Sequence, residues 1–315
     1  MGGSLAIRRY DGPACDLADR SCTWGASGGV DALLAVGVPS DEGIVLGAFQ
    51  RRAEVHETSG LPIFRRGSGG GVARVGPGTV WLQLSLARAD ALVACTPDKL
   101  LNRYVRPLLK ALTRVASVPV SYFGRDWISA AQRPVALVSF GHDARTNQSL
   151  FEAIVAVTTP FAGVDRPTFL GKSPATLEAV ADRSLDPARV AGAVVDAYAA
   201  IATAVMDSGQ VGRSSETAGR IEDEPPWSAT REEAIGIVGA GRDESGKLRV
   251  GGELMASRDA MTRLEELVAA LPASATADDV GRVVDAALTT HGAVTFGVRS
   301  LASIRDVIVE ASRAS

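Results

Sequence analysis

The chain has 315 residues, enough to bury a substantial core and to form two domains. Its hydrophobic content of 46% and charged content of 22% are those of a globular protein, and a net charge of -3 excludes a general attraction to nucleic acid or to an anionic membrane. No apolar run reaches the roughly 20 residues that span a bilayer, and the opening MGGSLAIRRYDG has no apolar signal core, so the expectation is a cytoplasmic protein.

In chain order, residues 5–10 alternate enough for a strand. Residues 28–38 carry apolar side chains at helical spacing and stop at Pro39, which predicts a helix. Residues 43–49 form a short apolar strand, and the polar residues 51–58 a loop over the stretch that follows. Residues 61–64 read as a strand leading into Arg65-Arg66-Gly67-Ser68-Gly69-Gly70-Gly71, and TVWLQLSL at 79–86 as the next strand, which together give a glycine-rich hairpin.

Thr96-Pro97-Asp98 starts a helix, with threonine as cap, proline at the first helical position and an acid in the first turn. Its stripe runs through Leu101, Tyr104, Val105, Leu108 and Leu112, and Pro107 should kink it. Residues 118–122, 127–130, 135–140 and 149–157 follow as strands, the last two joined by a turn at 141–148. Ser173-Pro174 opens a short helix through Val180, and Pro187 a longer one through Met206. A mixed β-sheet with flanking helices suits this order, so the fold class is α+β.

Residues 208–230 are rich in Gly, Ser and Glu and hold Pro225-Pro226, which reads as a linker. Two strands, at 234–238 and 248–254, then flank the turn Asp243-Glu244-Ser245-Gly246. Helices start at Ser257, Thr276 and Ser300, making a small α+β C-terminal unit. The expected division is 1–207, a linker at 208–230, and 231–315. Cys15, Cys22 and Cys95 cannot all pair, no CxxC spacing is present, and free thiols are expected inside a cell. Only four lysines occur, Lys99, Lys110, Lys172 and Lys247, among 33 basic residues.

Three consecutive glycines let a backbone approach a ligand closely. Successive amides in such a loop can form a nest for an anion, and Arg65 and Arg66 add planar forks suited to phosphate or carboxylate. The bland alternative is a glycine-rich hairpin with two surface arginines.

Pro62-Ile63-Phe64-Arg65-Arg66-Gly67-Ser68-Gly69-Gly70-Gly71-Val72 resembles the arginine-arginine-x-serine-glycine-glycine-glycine signature of the lipoate–protein ligase family, within the wider biotin/lipoate ligase and acyltransferase group. Ile44-Val45-Leu46-Gly47-Ala48-Phe49-Gln50 resembles the family's strand ending in glycine and then glutamine. Asp31-Ala32-Leu33-Leu34 resembles its early aspartate-x-x-leucine helix, and Gly124-Arg125-Asp126 its glycine-arginine-asparagine-aspartate turn. The resemblance spans roughly residues 5–206, and residues 231–315 are similar to the accessory domain of the longer ligases.

The resemblance implies that a carboxylic acid (lipoic, octanoic or related) is activated with ATP and Mg2+ as co-substrates. A lysine on a lipoyl-carrier protein domain then takes the acyl group. It places Arg65 near the acid carboxylate or phosphate, Arg66 beside it, and Ser68, Gly69, Gly70 and Gly71 along the pocket. Gly47 and Gln50 border the acyl tunnel, and Asp126 lies near the nucleotide and its metal ion. Asp126 can equally close a turn, Arg66 be a solvated arginine, and Gln50 a strand-end amide.

The chain also departs from the family. Where the family has a lysine after the glycine-arginine-asparagine-aspartate turn, this sequence reads Gln132-Arg133-Pro134-Val135, with Pro134 at the lysine place. Ala73-Arg74-Val75-Gly76 stands where a histidine usually follows the glycines, and no cysteine matches the nucleophile of the acyltransferase branches. Arg133 and Lys172 are the candidates to replace the lysine. Lys172 is otherwise a solvated helix-entry residue, and His142 a turn histidine beside Asp143. The expectation is a ligase-like enzyme, with two alternatives: a non-catalytic acyl or adenylate binder, or a biotin or other acyl–protein ligase.

Overall fold

The computed structural model describes residues 3–24, 29–55, 60–162, 169–210, 221, 224–272 and 274–314. Its centre is an eight-stranded mixed sheet. In spatial order the strands are β11 (Ala204–Gln210), β1 (Ser4–Tyr10), β2 (Ala32–Gly37), β6 (Thr79–Leu86), β10 (Gln148–Ala156), β9 (Arg133–Asp143), β8 (Trp127–Ala130) and β7 (Val120–Tyr122). The β11–β1 and β1–β2 pairs are parallel and the others antiparallel.

The strands alternate between two covered faces. Val80, Leu82, Leu84, Phe151, Ala153 and Val138 point toward α2 (Leu100–Ala116) and α4 (Pro187–Ala199). Trp81, Leu137 and Ile154 point the other way, toward α1 (Ala14–Cys22) and a second small sheet. That sheet has the order β4 (Ile63–Arg65), β3 (Gly43–Leu46), β5 (Ala73–Val75). A short helix, α3 (Leu177–Ala181), precedes α4 and is capped by the Thr176 hydroxyl.

The C-terminal part holds an antiparallel sheet of β12 (Ala229–Glu233), β13 (Gly236–Arg242) and β14 (Leu248–Gly252). A two-strand ribbon, β15 (Met255–Ala256) with β16 (Thr295–Phe296), lies beside it. Helices α5 (Arg258–Ala269), α6 (Ala277–Leu288) and α7 (Leu301–Arg313) pack around a separate apolar cluster that includes Val238, Leu264, Val284 and Ile304. Thr276 and Asp279 form a reciprocal capping box at α6. The α+β expectation, a mixed sheet with flanking helices and a small C-terminal α+β part, is met.

Four local readings need correction. Residues 32–37 form β2, not a helix, so the Asp31-x-x-Leu stretch does not match a helix here. The run is buried along its whole length between β1 and β6, and a continuous apolar run satisfies a doubly covered strand as well as a helix. The glycine stretch is no hairpin: β4 pairs with β3, β5 follows the glycines, and β6 belongs to the large sheet. The helix from Pro187 ends at Ala199, and the chain returns as β11 beside β1. The short helix begins at Leu177 rather than at Ser173.

Helix α1 was not expected, because small residues such as Ala14, Cys15 and Ala18 make its buried face without a strong apolar stripe. Pro107 is accommodated within α2, which runs on to Ala116. The expected linker lies mostly outside the described residues, with β11 extending to Gln210 and β12 beginning at Ala229. The three cysteines are free thiols.

Candidate functional site

The glycine loop joins β4 to β5 and is buried from Arg66 to Gly71. Four successive amides are spent on protein acceptors. Gly67 N donates to Ser21 Oγ at 2.6 Å, Ser68 N to Glu152 Oε2 at 3.2 Å, Gly69 N to Phe140 O at 3.0 Å and Gly70 N to Leu254 O at 3.0 Å. An anion nest built from these amides is therefore not present. Close packing explains the glycines: a Cβ on Gly69 would stand 2.4 Å from Leu254 O, and one on Gly47 2.0 Å from Gly70 O. Gly70 also has φ +84°, which favours glycine.

The C-terminal part thus covers the loop. Besides Leu254, Arg258 Nη2 donates to Gly67 O at 3.4 Å, and its guanidinium lies 5.5 Å from the Trp24 ring centre. His142 on β9 forms an isolated bridge with Ser257.

Arg66 is not a solvated arginine. It is 1% exposed and binds its own loop: Nε donates to Ser68 Oγ at 3.0 Å, and Nη2 to Gly69 O at 2.7 Å and Gly71 O at 2.8 Å. Its charge is held beside Glu152, a residue that the sequence reading missed. Glu152 Oε1 accepts from Trp81 Nε1 at 3.0 Å, and Oε2 accepts from the Ser68 amide and hydroxyl. Ser139 Oγ joins Ser68 Oγ at 2.7 Å. Burial pushes the Glu152 carboxyl up, against the Arg66 charge and the hydrogen bonds from Ser68, Ser21 and Trp81. The available signal was one charged residue inside the apolar run Leu150 to Val157.

Arg65 points the other way, into a cavity of about 650 Å3. Its side chain is 23% exposed. Nη1 donates to the carbonyls of Gly47, Ala48 and Gln50, and Nη2 pairs with Glu224 Oε2 at 2.7 Å. Gln50 also lines this cavity but closes a turn, with Oε1 accepting from Gly47 N at 2.9 Å. The opposite wall brings Trp227, Asp243, Arg249 and Glu265 from the C-terminal part. Arg249 bridges Asp243 at 2.8 Å and Glu265 at 2.6 Å.

Arg51, also missed, ties the two walls together. Nη1 donates to Pro225 O at 2.9 Å, Nη2 to Gly241 O at 2.7 Å, and the guanidinium lies 3.9 Å from the Trp227 ring centre. Trp227 Nε1 donates to Glu54 Oε1 at 2.6 Å. The expected loop at 51–58 is in part a 3-10 turn, Arg52–Glu54, and residues 56–58 lie outside the described ones.

The remaining candidates are elsewhere. Asp126 is fully buried at the entry to β8, beside Tyr122, whose hydroxyl pKa is raised by burial and then by the Asp126 charge. Its carbonyl accepts from Val138 N at 2.8 Å. Arg133 stands at the exposed start of β9 and donates to Ser173 O at 3.2 Å and Pro174 O at 2.8 Å. Lys172 precedes that pinned segment, its amide donating to Phe169 O at 3.0 Å. Ser139, which touches the glycine loop, is six residues further along β9, about 20 Å in an extended strand. Arg133 is therefore not brought to the loop, and Lys172 keeps company with Arg133. Pro134 pairs with Ser129 and accepts from Ala175 N at 2.8 Å.

His142 lies on β9 rather than in a turn. It is buried, with Nδ1 2.9 Å from Ser149 Oγ and no hydrogen-bond partner for Nε2 among the described residues. Among the described residues no three His, Cys, Asp or Glu side chains converge to hold a metal ion, and no helix is long and apolar enough to cross a membrane.

No family model and no curated protein matches the sequence. Solved structures do match. A lipoate-protein ligase A bound with ATP is 16% identical, with 67% of this chain and 90% of that one covered and a TM-score of 0.51. P. falciparum LipL1 in complex with lipoate is 9% identical, with 90% and 94% covered and a TM-score of 0.58. The chain has the fold of these ligases.

Proposed function

We propose that this chain binds a lipoyl- or octanoyl-type acid together with ATP in the Arg65 cleft and passes the acyl group to a lysine of a carrier-protein domain. In that reaction the acid's carboxylate oxygen attacks the α-phosphorus of Mg-bound ATP, and pyrophosphate leaves. The carrier amine then attacks the acyl carbon, AMP leaves, and the amine proton passes to solvent. The protein's part is to hold two anions together and to offset charge as it moves.

One observation carries this reading: Arg65 already seats a carboxylate, that of Glu224, at the edge of a 650 Å3 cavity. The fold supports it, since it is shared with a ligase solved with ATP and one solved with lipoate. Substrate binding displaces Glu224 from the guanidinium. The same reading takes residues 231–315 as an accessory domain whose Leu254 contact with the glycine loop opens to admit a carrier.

The test is intact mass of an apo lipoyl-carrier domain after incubation with the chain, MgATP and lipoate, octanoate or biotin. A mass gain with lipoate or octanoate supports the reading, and a gain with biotin alone replaces the acid. A second reading, binding without transfer, is favoured by Pro134 and by the distance of Arg133 from the loop. A lost preorganised donor lowers rates by about a hundred- to a thousandfold. Under that reading the acyl-adenylate binds while the carrier stays unmodified in wild type, Arg133→Ala and Lys172→Ala alike.

A further inference from the structure

On the face of the large sheet away from the glycine loop, α2 and α4 enclose a groove of about 520 Å3. Small side chains keep it open: Pro107 and Ala111 on α2 face Ala193 and Ala197 on α4, with Ile201 at one end. The rim is Arg103, Arg106, Lys110 and Arg114. Their spacing of three, four and four residues puts all four on one helix face, over about 17 Å.

All four are exposed. Among the described residues the side chains of Arg103, Lys110 and Arg114 have no ion pair or hydrogen bond, and that of Arg106 uses only Nε, on Asn102 O at 3.2 Å. Asp196 is the single carboxylate of the lining. Like charges at these spacings repel along a helix. A chain of net charge -3 therefore keeps an uncompensated cationic stripe directly beside an apolar trough.

We propose that this groove binds a small amphiphile with an anionic head and an aliphatic tail. The head lies on Arg106 and Lys110, and the tail on the alanine floor. The volume falls in the range of about 300–1,000 Å3 typical of small-molecule sites, and a concave trough suits a single chain better than a flat surface. The site is separate from the Arg65 cleft, because the large sheet stands between them. The same chemistry could come from a free acyl anion or from an anionic lipid of a bilayer.

The test is calorimetric titration of dodecyl phosphate, below its micelle concentration, into the full chain. Wild type is compared with Arg106→Glu/Lys110→Glu, with Ala197→Trp and with Arg65→Ala, each checked by circular dichroism. The expected result is saturable binding that weakens by about tenfold or more in the double variant and in Ala197→Trp, and is unchanged in Arg65→Ala. Inorganic phosphate alone does not compete, and phosphatidylglycerol vesicles do not sediment with the protein. Binding untouched by the double variant, or lost in Arg65→Ala, overturns the assignment. So does binding to vesicles only. A polyglutamate peptide that binds wild type and Ala197→Trp equally, but not the double variant, would assign the stripe to an acidic protein surface instead.

Discussion

The Glu224 carboxylate stands 2.7 Å from the Arg65 guanidinium, so the chain fills with its own acid the seat proposed for the substrate anion. Both side chains are partly exposed, and such pairs contribute about 0–1 kcal/mol. Glu224→Gln therefore leaves stability nearly unchanged and tightens binding of an acyl-adenylate mimic by up to about fivefold. Calorimetry on the two proteins measures this, and weaker binding in Glu224→Gln would make Glu224 part of the ligand site rather than its competitor.

Gly69→Ala tests the cover over the loop. The new Cβ meets the Leu254 carbonyl, a backbone atom that moves only with its segment. Overpacking of this kind costs about 1–3 kcal/mol. The expected outcome is a lower thermal midpoint together with faster hydrogen exchange at the Gly70 amide, whose acceptor is Leu254 O. Unchanged exchange there would mean that the Leu254 contact is not what holds the loop closed.

Arg66 and Glu152 act through Ser68 as one buried unit. Removing one partner of a buried charge pair costs about 3–5 kcal/mol, because the other charge is left uncompensated. Arg66→Met and Glu152→Gln should each reach that size in urea unfolding. The double variant should cost less than their sum by about 0.5–3 kcal/mol. Strict additivity would show that the two charges do not depend on each other.

How much of this was legible in the sequence follows from what each residue's neighbours demand. The Arg65 to Gly71 stretch stood out, and Gly69 in it is required by packing against the carbonyl of Leu254, 185 positions away, while the Gly70 amide donates to the same carbonyl. Local pattern does not reveal which acceptor a loop amide finds across such a separation. Residues 32–37 misled because burial on both faces erases the alternation that marks a strand. Arg133 stood out because it adjoins Pro134, where the resembling family has a lysine, yet the length of β9 puts Arg133 and Ser139 at distant points. Glu152 carried a visible signal, a lone acid in an apolar run. Arg51 and Trp227 carried none, since neither means anything until the two walls of the cavity meet.

His142 gives the fold a pH dependence. Burial lowers its pKa from the ordinary 6.5, while Asp259 and Asp143 oppose the shift. The unfolded chain then binds the proton more readily, so stability present above about pH 6.5 is lost as the pH falls below it. The Ser149 hydroxyl also faces the ring, and it does not titrate in this range. Urea midpoints between about pH 7.5 and 5 should fall more steeply for wild type than for His142→Gln. Parallel slopes would assign the acid sensitivity to other groups.

The central claim is that Arg65 holds the anionic part of the ligand, and a lipoyl-sulfamoyl-adenosine titration into wild type and Arg65→Ala tests it most directly. Loss of a charged hydrogen bond costs about 1.5–3 kcal/mol, so the variant should bind about ten- to a hundredfold more weakly while keeping a folded circular dichroism spectrum. Equal affinity in the two folded proteins would contradict the account and remove the Arg65 cleft from the site.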